Sequence, residues 1–174
     1  MPFRPAAIAA SSDFYQYAPI VLRGRAEFDV PAERTWREVE EFGWVPIVDA
    51  TWDTPEPHRP GSRRRLTLGS LLVSNEFVTR FEAGRELAFY IGEMPIPGFR
   101  AIAERLTVDE IGPERSAVTY TIAAEPTLLR GLQFRRVTTL TGPLFSFALR
   151  RFIGRSIRDD RTDAGRIVDG AEVR

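Results

Sequence analysis

Four polar side chains fall on strand faces that otherwise read as apolar: Arg64, Asn75, Glu104 and Tyr120. A polar group buried without a partner costs ~1–3 kcal/mol, so these residues must pair with one another or with something bound. One chemistry is recognition, in which they orient the polar end of a mostly apolar molecule, as the few polar groups of small-molecule pockets do. Another is acid–base work, with Arg64 stabilising a developing enolate or oxyanion and Tyr120 or Glu104 moving the proton. A third needs no ligand: Arg64 and Glu104 form a structural ion pair, or Arg64 lies at a rim and extends its head into water.

Other chemistries are missing from the residue inventory. There is no Cys and one His, which excludes thiol catalysis, disulfides and multi-histidine or cysteinyl metal sites. His58 lies in Pro55-Glu56-Pro57-His58-Arg59-Pro60 and reads as an exposed loop residue rather than a positioned base. Gly154-Arg155-Ser156 lacks the final Gly of a nucleophile elbow and falls inside a helix pattern. No phosphate-binding or dinucleotide fingerprint occurs, so no cofactor is expected. The 24 acids are balanced by 24 basic residues, all arginine, which argues against a nucleic-acid partner. Glu27, Glu76 and Glu110 read as solvated surface charges. No apolar run approaches the ~18 residues of a spanning helix, and the first residues are too short for a signal peptide core. A cytoplasmic location is the expectation.

The elements that must position the four polar residues follow from hydrophobic period. The 174 residues suit one domain, drawn here as 19–165 between an arm (1–18) and a tail (166–174). Ile20, Leu22, Gly24, Ala26, Phe28 and Val30 alternate with Val21, Arg23, Arg25, Glu27 and Asp29, a strand with one wet face. Pro31 and Glu33 open a helix whose apolar face is Thr35, Trp36, Val39 and Phe42. Gly43 ends it, and a second short helix or turn is expected over Trp44 to Val48. Gly69-Ser70 reads as a two-residue hairpin turn. Pairing Leu68 with Leu71 sets Leu66 against Val73, Arg64 against Asn75 and Arg63 against Glu76. One face then carries Leu66, Leu68, Leu71, Val73, Phe77 and Phe81 together with Arg64 and Asn75. Further strands run over Leu87–Ile91, Phe99–Glu110 and Ser116–Ala124, with Glu104 and Tyr120 pointing inward. Gly142-Pro143 opens a closing helix with Phe145, Ala148, Leu149, Phe152, Ile153 and Ser156 on one face and arginines opposite.

One-sided strands and one long amphipathic helix require a two-layer α+β solution in which the sheet wraps the helix. The stretch Ala26-Glu27-Phe28-Asp29-Val30-Pro31-Ala32-Glu33-Arg34-Thr35-Trp36 resembles the first strand and helix junction of the SRPBCC superfamily, also called START-like or birch-pollen-allergen-like, within its polyketide cyclase/dehydrase and lipid-transport group. Pro60-Gly61-Ser62-Arg63-Arg64, Phe81-Glu82-Ala83-Gly84-Arg85-Glu86-Leu87-Ala88-Phe89 and the closing helix carry the same likeness, over residues 20 to 165. The resemblance implies a helix-grip: a curved seven-stranded antiparallel sheet around the last helix, two short helices after the first strand, and an apolar cavity between sheet and helix. The stretch from Glu125 to Gly142 departs from the family pattern. Its Leu128, Leu129, Leu132 and Phe134 are read as packing before cavity closure.

On this basis the expected partner is a small hydrophobic molecule, of lipid, polyketide or isoprenoid type. The expected ligand-binding residues are Arg64, Val73, Asn75, Phe77, Phe89, Glu104, Tyr120, Phe145, Leu149 and Phe152, with no catalytic or metal-binding residue assigned. A cyclase or dehydratase is the alternative the resemblance permits. A membrane- or protein-interaction module acting through Phe147, which falls among the arginines of the last helix, is a third, although one exposed apolar residue is ordinary.

Overall fold

The computed structural model describes residues 2–9, 13–128 and 142–158. Its elements are α1 (Phe14–Tyr17), β1 (Ile20–Phe28), α2 (Ala32–Glu41), β2 (Asp49–Trp52), β3 (Arg63–Leu68), β4 (Leu71–Glu82), β5 (Glu86–Glu93), β6 (Phe99–Gly112) and β7 (Arg115–Pro126), followed by the helix α3 over 142–158. The seven strands form one antiparallel sheet in the order β1-β7-β6-β5-β4-β3-β2. The α+β helix-grip architecture expected from the sequence is present. Six of the strands are legible from period; β2 is four residues long and pairs only with β3, too short to show an alternation.

Local chemistry accounts for the elements around the first strand. Along β1 the buried positions are Gly24, Ala26 and Phe28, and Arg23, Arg25 and Glu27 face water. Pro31 stands immediately before α2, whose Thr35, Trp36 and Val39 are buried. Thr35 Oγ1 and Ser116 Oγ are hydrogen-bonded at 2.7 Å, and Ser116 Oγ also donates to Val30 O at 2.9 Å, tying α2 to the start of β7. Phe42 ends α2 in the left-handed region at φ 60°. From there to Val48 the chain runs as successive turns, Val45 N–H on Phe42 O and Val48 N–H on Val45 O. Pro46 lacks the N–H a continuing helix would use.

One extra residue corrects the expected register of the β3–β4 hairpin. Leu68 pairs with Leu71 as read from sequence, but Thr67 pairs with Leu72 and Leu66 with Ser74. Val73 is thus bulged out of the ladder. Because side chains alternate with period two, a one-residue slip turns a strand over. Arg64 faces Glu76 rather than Asn75, and Arg63 lies opposite Phe77. Ser74, Glu76 and Val78 therefore share the inner face with Leu66, while Asn75 and Phe77 go to the outer one. Phe77 stacks there on Tyr90 at 5.3 Å. A second irregularity between Val78 and Arg80 flips the strand back, returning Phe81 to the core against Trp36 at 5.8 Å.

Helix α3 lies in the concavity of the sheet with Leu149, Ile153 and Ile157 buried. It comes close to β1 at Gly24, where an added Cβ would come within 2.9 Å of Phe145 Cδ1 and 3.0 Å of Leu149 Cδ1. Arg25 N–H donates to Ser146 Oγ at 3.0 Å beside it. The arm runs between the diverging ends of β5 and β6. Phe3 exchanges backbone hydrogen bonds with Met94 (2.8 and 3.0 Å), and Ala6 N–H donates to Arg100 O at 2.7 Å. Tyr15 then donates its hydroxyl to Glu104 O at 2.9 Å.

Candidate functional site on the concave face

Strand register lays the inner face out in rows. One row, Phe81-Leu87-Leu106-Tyr120-Gly24, lies under the first turns of α3. The next is Val78-Phe89-Glu104-Ile122-Leu22, and beyond it Trp52-Arg64-Glu76-Ile91. Arg64, Glu76, Glu104 and Tyr120 thus form a diagonal polar line across an otherwise apolar floor. Leu22, Ile122, Glu104 and Phe145 are only half-buried.

The polar line divides into two pairs. Arg64 and Glu76 are 1% and 3% exposed, with Arg64 Nε and Nη2 at 2.8 and 2.7 Å from Glu76 Oε2. Arg64 Nη1 donates to Glu40 O at 3.2 Å, and the guanidinium lies 4.8–5.3 Å from the ring centres of Phe42, Trp52 and Phe89. Contacts of this kind on several ring faces favour the cation where water is excluded. The second pair is Tyr120, whose hydroxyl donates to Glu104 Oε2. Burial, reinforced by the charge of Glu76, pushes the Glu104 carboxyl up to about 7, against the pull of Tyr120 and Arg64. Burial and the neighbouring Glu104 raise the Tyr120 phenol well above its ordinary value. Burial also raises Glu76, opposed by Arg64. Trp44 packs edge-on to Tyr120 at 5.9 Å, and its buried Nε1 has no hydrogen-bond partner.

Of the residues singled out from sequence, Arg64, Phe89, Glu104, Tyr120, Phe145 and Leu149 lie on the concave face or on α3 against it. Val73, Asn75 and Phe77 do not, because the bulge turned β4 over. Val73, bulged out of the ladder, lines an apolar groove of about 650 Å³ with Pro2, Leu68, Leu71, Leu72, Met94, Pro95 and Ile96. Asn75 Nδ2 donates to Glu93 Oε2 at 2.6 Å, and Glu93 also meets Arg4 at 2.8 Å. Phe152 is 41% exposed and lines a separate cleft with Gly43, Trp44 and Pro46; the buried stripe of α3 follows Leu149, Ile153 and Ile157 instead.

Two further corrections concern charge and burial. Glu76, read as a solvated charge paired with Arg63, is the buried partner of Arg64, and Arg63 meets Asp53 at 2.7 Å. His58, read as an exposed loop residue, is buried, stacked on Trp52 at 3.8 Å with Phe81 edge-on at 5.8 Å. The structure adds Leu22, Glu76, Trp52 and Ile122 to the floor. Leu22 and Ile122 carried the right parity; Glu76 carried no signal, because its face depends on the bulge. Phe147 is exposed on α3. Leu129, Leu132, Phe134 and the tail lie outside the described residues.

No family model matches the sequence. The chain is 27% identical over 145 residues to an uncharacterised protein of Mycobacterium tuberculosis, covering 80% of this chain and 84% of that one. Among solved structures it is similar to a START superfamily protein from Mycobacterium smegmatis (TM-score 0.59, 15% identity, 80% of this chain and 97% of that one). It is also similar to TTHA0849 from Thermus thermophilus (TM-score 0.57, 17% identity, 81% and 99%). A Thalictrum norcoclaurine synthase in complex with a transition-state analogue matches with TM-score 0.53 at 13% identity, over 82% of this chain and 96% of that one. Taken with the sheet order, the enclosed α3 and the seven-strand register, these likenesses show that the chain has the helix-grip fold.

Proposed function

We propose that this protein binds a small hydrophobic ligand on the concave face, between the sheet and α3, with the ligand's polar end at Glu104 and Tyr120. The observation that carries the reading is the Glu104 carboxyl set on an interior strand of the concave face, hydrogen-bonded to Tyr120 amid the half-buried apolar residues Leu22, Ile122 and Phe145. A polar group set in an apolar floor is the arrangement by which pockets orient a mostly apolar guest. Affinity comes from apolar burial, ~25 cal/mol per Å² before ordering costs. Molecules of lipid, polyketide or isoprenoid type match that chemistry. Native mass spectrometry of the purified chain, with and without organic extraction, tests the reading. An apolar adduct that Ile122→Arg abolishes is the expected result. Absence of any adduct, together with failure to bind a neutral fluorescent probe such as N-phenyl-1-naphthylamine, defeats it.

One observation favours a second reading, an acid–base enzyme of the cyclase or dehydratase type. A carboxyl near 7 hydrogen-bonded to a tyrosine is poised for proton transfer at neutral pH. Arg64 would not supply the oxyanion contact, since its guanidinium is 1% exposed and enclosed by Glu76, the Glu40 carbonyl and three aromatic rings. Under this reading Glu104→Gln abolishes turnover of a bound compound while retaining it; under pure binding the compound is recovered unchanged from both proteins.

A further inference from the structure

We infer that the concave site selects ligands by the charge of their polar end: it takes an apolar molecule carrying a cationic or hydrogen-bond-donating head, an aliphatic amine ahead of an alcohol, and rejects the carboxylate of the same chain length. The inference rests on the binding reading above and adds the class of head group.

The argument is a count of donors and acceptors on the concave face. Arg64 is the only fully buried arginine among the described residues. Its Nε and Nη2 meet Glu76, its Nη1 meets the Glu40 carbonyl, and Phe42, Trp52 and Phe89 surround its plane. With 1% exposure it has no surface to offer a second carboxylate. Among the described residues Glu104 is in no ion pair; its carboxylate accepts from Tyr120, and the residue as a whole is half-buried. Tyr120 has spent its one proton on that bond, so toward a ligand it is an acceptor. Trp44 Nε1, a buried unpartnered donor on the ring beside Tyr120, is neutral and cannot offset a carboxylate's charge. What the site offers a polar end is therefore lone pairs and negative charge. An incoming carboxylate meets like charge at short range in a water-poor site, whereas an ammonium completes the pair that Glu104 lacks.

The groups facing Glu104 are Tyr120 from β7, Glu76 from β4 and Arg64 from β3, with Tyr15 of the arm on its backbone carbonyl. Phe145 from α3 and the Glu40 carbonyl from α2 add no titrating group. Because Glu104 ionises near 7, while an alkylamine keeps its proton to about pH 10, as lysine does, the preference for amine strengthens from pH 5.5 to 8.5.

The test uses the full chain at low ionic strength. Octylamine, octanol and octanoate each displace N-phenyl-1-naphthylamine at pH 8.5 and again at pH 5.5. The expected result at pH 8.5 is a Kd for octylamine at least about tenfold below that for octanoate, with octanol between them. Glu104→Gln is expected to bring the amine-to-acid ratio within about threefold. Octanoate binding as tightly as octylamine to the unaltered chain overturns the inference while leaving the binding reading intact, and so does a ratio that Glu104→Gln does not change. If neither the probe nor any of the three compounds binds, the binding reading itself fails.

Discussion

Arg64 and Glu76 face each other across β3 and β4 as an ion pair almost wholly removed from water, two guanidinium nitrogens at 2.7–2.8 Å from one carboxylate oxygen. Removing two charges from water is costly, and their attraction repays it only when the remaining donors are also met. Here the Glu40 carbonyl takes one further donor and three aromatic rings surround the guanidinium, while Nη2 makes the ion pair without a hydrogen bond of its own. The pair fixes the relation of α2, β3 and β4.

Breaking one side of this pair should be severe. Glu76→Gln leaves Arg64 buried without its counter-charge, and unfolding in urea should show a loss of ~3–5 kcal/mol. The double change Arg64→Met with Glu76→Leu removes both charges and should recover most of that loss. A double variant no more stable than the single one would mean that the pair contributes more than charge balance.

The Glu104 carboxyl gives stability a pH dependence of definite sign. Its folded value of about 7 lies above the ordinary 4.5, so the folded state holds the extra proton in that interval. Raising the pH through it therefore favours the unfolded chain. Between pH 5 and pH 8 the unaltered protein should lose stability relative to Glu104→Gln, by on the order of 2 kcal/mol. Urea midpoints at the two pH values check this, and parallel midpoints for the two proteins would refute it.

Tyr120 holds the proton that favours ionised Glu104. With Tyr120→Phe the carboxylate loses that donor, and burial beside Glu76 acts unopposed by it. The Glu104 value should move above 7, read by carbon NMR of the side-chain carboxyl across a pH titration. A lower value would show that another group replaces the tyrosine.

Gly24 sets how closely α3 approaches β1. Any Cβ there meets Phe145, Leu149 and the backbone nitrogen of Ser146 within 3.0 Å, so Gly24→Val should cost ~1–3 kcal/mol through overpacking. Gly112→Ala, whose added carbon makes only ordinary contact at 3.6 Å with Arg115, should change the melting temperature little. Equal losses from the two would remove the close approach as the cause.

Much of the architecture was readable along the chain because it is written in local period. The alternation of β1, the amphipathic α2, the Gly69 and Gly84 turns and the inward parity of Glu104 and Tyr120 each depend on residues within one element. The resemblance to the START-like superfamily then ordered those elements into a helix-grip. Phe152 shows where period misleads: it shares the apolar arc of α3, yet the helix rests on Leu149, Ile153 and Ile157 and leaves Phe152 toward Trp44 and Pro46.

Residue order alone determined that one-sided strands must enclose the last helix, and it favoured an inward face for Glu104 and Tyr120; that the two are hydrogen-bonded to each other came from the tertiary structure. Only tertiary structure decided which carboxylate Arg64 takes. That choice turns on a single bulged residue, Val73, whose position reflects how β3 and β4 bend around the core rather than any local preference. It also decided that His58 fills the gap beside Trp52, since burial of a loop depends on what lies beneath it. Period is a property of neighbours in sequence; register and loop packing are properties of neighbours in space.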